Sequence, residues 1–117
     1  MKIKLREYVQ IKMDGITENS IQLPLGYPDA ILLQAETKSN FNVRIIEEGA
    51  EKINCDFAML LEMQSLMLSM QGKCLLFPSF LILDYDKNCH HVRLDVKNID
   101  PLNDSGKIKL FIATGNL

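Results

Sequence analysis

Near the amino terminus, apolar side chains fall on odd positions: Ile3, Leu5, Val9, Ile11 and Met13, with only Glu7 out of step. Lys2, Lys4, Arg6, Tyr8, Gln10 and Lys12 fill the even ones. A period of two is the mark of a strand with one dry face, and the spacing predicts one long strand over residues 2–13, closed by a turn at Asp14-Gly15. Ile21, Leu23 and Leu25 alternate again, but Pro24 cannot donate to a ladder, so this second strand belongs at a sheet edge or a bulge. After a turn over residues 26–29, AILLQA (30–35) and FNVRII (41–46) read as a third and a fourth strand. The short polar link Lys38-Ser39-Asn40 suits a hairpin between them. Glu47, Glu48, Gly49 and Glu51 read as a charged, solvated loop that ends this first meander.

The period then changes. Over residues 57–71, FAMLLEMQSLMLSMQ, methionine, leucine, glutamate and glutamine replace β-branched residues, a composition that favours helix. Asp56, or Asn54 before it, can cap the first turn, and Gly72 can stop the last. A helix is predicted over 56–71. Beyond it, CLLF (74–77) meets Pro78 and FLILDY (80–85) resumes as strand, Asp86-Lys87-Asn88 turns the chain, Val92, Leu94 and Val96 alternate, and Ile108, Leu110 and Ile112 share a last face. The expected fold is therefore α+β. An antiparallel sheet of about seven strands, curled towards a barrel or split into two layers, carries one Met-rich helix between an N-terminal four-strand and a C-terminal three-strand meander. Its 117 residues suit a single domain, 1–117, and no internal repeat divides them.

The helix gathers four of the chain's six methionines. At about 100° per residue, Met59, Met63, Met67 and Met70 lie within an arc of about 80°. With Phe57, Leu60, Leu61, Leu66 and Leu68 the apolar arc widens to roughly 220°, which leaves Ala58, Glu62, Ser65 and Ser69 as the wet strip. Such a helix should be nearly engulfed by its surroundings. Core packing against a sheet accounts for much of that arc. One sheet face does not cover so wide a stripe, so the remainder is expected to pack on a second copy or on another protein. Met59, Met63, Met67 and Met70, with Tyr27 at a loop tip between Gly26 and Pro28, are the expected partner-interface residues. The run is too short for a membrane span and is interrupted by Glu62 and Gln64.

Charge alters this picture little. Thirteen basic against fifteen acidic residues leave a net charge of −2, which advertises no long-range field for nucleic acid or anionic lipid. Nucleic acid is disfavoured even though the even face of the first strand is basic. The odd number of cysteines and the lack of a charged and then apolar leader at the start point to a reducing, cytoplasmic setting.

Candidate chemistry concentrates in DYDKNCHHVRLD, 84–95. Asp84, Asp86, Asn88 and Asp95 match four positions of a calcium loop, but Cys89 stands where that loop needs glycine, and strands rather than helices flank it. The plainer reading is a turn whose Asp and Asn side chains bond their own backbone. In a strand the adjacent His90 and His91 would face opposite ways and could not share an ion. His90 takes the parity of Val92 and Leu94, so it is expected to be partly buried. His91 is expected opposite Asp84, where the two would make an acid/base pair. Asp84, Asp86, Cys89, His90 and His91 are thus the candidate ligand or metal residues. No hydrolase, zinc-protease or phosphate-loop motif occurs, and no cofactor is called for. The expected function is a non-catalytic interaction or assembly module, a homo-oligomer or a small subunit of a larger complex. The alternative is a small-ligand or metal-binding domain with a cavity near Asp84, Cys89 and His90.

Overall fold

A computed structural model describes residues 3–12, 18–26, 28–37, 40–72, 80–99 and 106–115. Eight strands and one helix follow in the order β1 (Ile3–Lys12), β2 (Glu18–Gln22), β3 (Ala30–Thr37), β4 (Phe41–Glu47), β5 (Ala50–Asp56), α1 (Phe57–Met70), β6 (Phe80–Ile82), β7 (Val92–Asn98) and β8 (Gly106–Gly115). They form two four-stranded sheets of order β1-β8-β3-β6 and β2-β7-β4-β5, and every pairing is antiparallel. That is the strand order of an eight-stranded jelly roll, in which the chain passes repeatedly from one sheet to the other.

The α+β class and the antiparallel pairing agree with the sequence pattern, and the arrangement in two consecutive meanders does not. β3 and β4 lie in different sheets, so they do not pair as the expected hairpin, and Lys38 and Ser39 between them lie outside the described residues; β6 and β7, on either side of Asp86-Lys87-Asn88, also lie in different sheets. Alternation reports that a strand has one buried face, and it carries no record of which sheet buries it. The eighth strand is β5, which extends the first set to five. Glu47 and Ala50 close the only hairpin between consecutive strands in the described sheets, through Glu48 and Gly49, both at positive φ (51° and 83°). Two positive φ values are what a tight hairpin turn with the strands' own twist requires. β5 escapes the sequence pattern because it is an edge strand whose side chains are mostly exposed, with Ile53 and Cys55 half-buried.

The inner faces of the two sheets bury Ile31, Leu33, Ile108, Leu110 and Ile112 against Phe41, Val43, Ile45, Val92, Leu94 and Val96. β1 joins this core only in its second half. Its register with β8 slips between Glu7 and Val9, so Tyr8 has no opposite number. One extra residue in a strand reverses the faces of everything before it. Val9 and Ile11 therefore face the other sheet, while Leu5 packs on the outer side against Ala30, Leu32 and Ala113. The single dry face and the single basic face expected for this strand are both divided by the bulge, and Lys4 and Arg6 end beside Ile112 and Thr114.

The outer face of the second sheet is polar and tightly paired. Asp95, only 3% exposed, receives Arg44 at 2.8 Å and Arg93 at 2.9 Å, and Arg44 also reaches Glu18 at 3.1 Å. Burial raises the Asp95 pKa, but hydrogen bonds from Arg93, Ser20 and Arg44 outweigh it and hold the carboxyl below its ordinary value. Asp95, the last position of the calcium-loop pattern, is thus taken up by two arginines.

Candidate functional site

The helix begins where the sequence places it. Asp56 is its N-cap and accepts a hydrogen bond from the Met59 amide at 2.7 Å, and Gly72, at φ 70°, follows its end. α1 lies along the open side of the sandwich, touching β4 and β5 of one sheet and β6 of the other. Two contacts fix it. Phe57, the one buried residue of the helix, stacks on Phe41 with ring centroids 4.7 Å apart. Gln64 uses both ends of its amide on the outer edge of β6, donating to the Phe80 carbonyl at 2.9 Å and accepting from the Ile82 amide at 2.8 Å. A side-chain amide thus takes the place of a neighbouring strand at that point of the edge.

On the helical wheel, the side chains turned to the sandwich are Leu60, Gln64, Phe57, Leu68 and Leu61, within an arc of about 100°. Next to them lies a second apolar strip that nothing among the described residues covers: Met59 (47% exposed), Met63 (50%), Leu66 (62%), Met67 (59%) and Met70 (79%). These five also fit an arc of about 100°, bordered on the far side by Glu62. The expectation of a nearly engulfed helix is corrected here. The two sheets close their own core, so α1 is left at the rim and buries less than half of its apolar circumference.

Between the two helix strips and the sheet edges runs a groove of about 420 Å³. Its floor is Val43, Ile45 and Ile53 from one sheet with Leu81 and Leu83 from the other, and Leu60, Met63, Met67 and Leu68 make its helical wall. Asp84 is the one ionised residue of its lining. The Asp84 side chain is exposed and makes no hydrogen bond or ion pair among the described residues.

The remaining sequence candidates lie on the loop that follows. Asp86 Oδ1 accepts from the Asn88 amide at 2.9 Å, the self-bonded turn that its residue types suggest. β7 starts only at Val92, so strand parity does not reach the histidines, and His90 is exposed rather than partly buried. No hydrogen bond or ion pair joins His91 to Asp84 among the described residues. What orders the loop is the pair of glutamates that read as a solvated cluster. The Glu47 carboxylate accepts from the Asp86 amide, and the Glu48 carboxylate accepts from the amides of His90 and His91. The hydrogen bond from the His90 amide holds the Glu48 carboxyl below its ordinary value. Burial, and then the nearby Asp86, Glu47 and Glu48 charges, push the Cys89 thiol up, the opposite of what an activated nucleophile needs.

Among the described residues no three His, Cys, Asp or Glu side chains converge as a metal site, and no helix is long and apolar enough to cross a membrane. Tyr27 and Cys74 lie outside the described residues. The sequence pointed to Met59, Met63, Met67 and Met70, and the structure brings all four onto one exposed strip with Leu66. Gln64, Asp84 and the groove floor complete that region; Asp84 was a sequence candidate as a ligand residue, and only the breadth of the helical arc hinted at the others. No family model, curated protein or solved structure matches the chain.

Proposed function

We propose that the protein is a non-catalytic interaction module that takes up an apolar protein surface on the methionine strip of α1. The observation that carries this reading is the exposure of five large apolar side chains on one face of a 14-residue helix. Together they present on the order of 500 Å² of apolar surface, the size at which a patch on a monomer tends to be functional. At about 25 cal/mol per Å², covering that area would contribute about 12 kcal/mol before the cost of association, which offsets several kcal/mol of it or more. Methionine suits such a surface, since its unbranched thioether adapts to different partner shapes at small cost. Strand order supplies no argument for or against, because the jelly roll serves many functions.

The test is recovery of a partner by the wild-type chain and by a Met63→Glu/Met67→Glu variant from the cells that make it. Both positions are at least half exposed, so the variant should fold. A protein retained by the wild type and lost by the variant supports the reading, and identical retention by both removes it. The groove favours one second reading. Its 420 Å³ and largely apolar lining fit a small apolar ligand bound between α1 and the sheet edges, which retains the small-molecule alternative but draws on Asp84 without Cys89 or His90.

A further inference from the structure

Resting on the docking role of the methionine strip, we propose that its partner is a basic amphipathic helix of another protein, laid along Met59, Met63, Met67 and Met70 with lysines or arginines directed at Glu62 and Asp84. The spacing of the strip suggests a helical partner. Steps of four, four and three residues form a ridge along α1, about 16 Å long, and such ridges are what a second helix packs against. The charges set its sign. Glu62 is the only ionised side chain of α1 and borders the strip, and Asp84 is the only one in the lining of the groove. Neither has a counter-ion among the described residues: Asp84 is unpaired, and Glu62 makes no ion pair. The basic side chains of the nearby β5 and of the loop after Asp84 are already engaged, Lys52 with Glu47 at 3.4 Å and Lys87 with the Asp29 carbonyl at 2.8 Å. A second copy would bring Glu62 and Asp84 towards their own kind with no cation on the strip to offset them, which argues for a different chain as partner.

Three labelled 16-residue amphipathic peptides test this, sharing one leucine face and carrying lysine, glutamine or glutamate on the polar face. Binding is read by fluorescence anisotropy. The lysine peptide should bind about tenfold tighter than the glutamate peptide, with glutamine between them. That spread should shrink several-fold in a Glu62→Gln/Asp84→Asn variant that still binds the glutamine peptide. Met63→Glu/Met67→Glu should bind none, while melting as the wild type does. Equal affinity for all three peptides would overturn the basic partner and leave the docking strip standing. Failure of every peptide, together with a concentration-dependent dimer that the Met63→Glu/Met67→Glu variant cannot form, would replace the proposed partner by a second copy. Failure of every peptide with a monomer at all concentrations would overturn both the partner and the docking strip.

Discussion

Gln64 holds the middle of α1 to the sandwich, and replacing it tests how the helix is kept at the rim. Its amide makes two hydrogen bonds with the edge of β6, to the Phe80 carbonyl and from the Ile82 amide. Each such bond contributes about 0.5 to 1.5 kcal/mol net, and Ile82 is 40% exposed, so water offsets part of the loss. Gln64→Ala should therefore cost about 1 to 2 kcal/mol. Alanine is the better helix former, so the local change runs the other way and any destabilisation must come from the lost contact with β6. At about 0.25 kcal/mol per degree for a chain of this length, the melting temperature should fall by about 4 to 8 °C. Gln64→Leu separates the bonds from the bulk, since it keeps the volume beside Leu81 and Leu83 and loses the amide. Thermal unfolding of both variants, with hydrogen exchange at the Ile82 amide, is the assay. Both should melt early and the Ile82 amide should lose protection in each. A leucine variant as stable as the wild type, with Ile82 still protected, would show that α1 is held by packing alone.

Three further outcomes follow from the same geometry. The Asp95 pKa is depressed in the folded chain, so the stabilisation it provides is complete above the unfolded-state pKa and is lost as pH falls through the lower folded value. Acid unfolding should therefore steepen below about pH 4, and Asp95→Asn should cost about 1 to 3 kcal/mol at neutral pH while flattening the acid limb, as followed by urea unfolding across pH; an unchanged limb would mean that Arg44 and Arg93 do not stabilise the ionised form. Gly49→Ala meets no atom within 4 Å but must adopt φ 83°, so the loss should be about 1 kcal/mol and purely of backbone origin, measurable by denaturant titration. Cys89 should be alkylated by iodoacetamide more slowly at pH 7 than a free cysteine peptide, with Asp86→Asn raising its rate; fast labelling would contradict the acidic, partly buried surroundings described for it.

Much of the fold can be read from residues alone, and the failures have identifiable causes. α1 was legible to within a residue at each end because Asp56 caps it and its composition differs from the flanking strands. β4, β7 and β8 alternate cleanly because one face of each is fully buried. β5 was missed because an edge strand with polar sides has little period to show. The bulge at Tyr8 was invisible because an extra polar residue looks like an ordinary outward position. Sheet membership was unreadable because a short link can make either a hairpin or a crossing between sheets. At the candidate site, the wide apolar arc of α1 suggested a nearly engulfed helix with a remainder left over, whereas among the described residues five of its large apolar side chains are exposed. It could not show that the arc splits into a strip facing the sandwich and a strip facing away, since that depends on where Phe57 stacks and Gln64 bonds. The charged cluster at Glu47 and Glu48 misled because exposed carboxylates ordinarily mark solvent, whereas here they accept from the backbone amides of a neighbouring loop.

Methionine oxidation is the most direct measure of whether the strip is a docking surface. Hydrogen peroxide converts exposed thioethers to sulfoxides, and peptide mass spectrometry reads each position separately. Met59, Met63, Met67 and Met70 should oxidise readily in the purified chain, and should be selectively protected when the same treatment is applied to the protein inside the cells that make it. Equal oxidation of the four in both settings would contradict the claim that another protein covers this face.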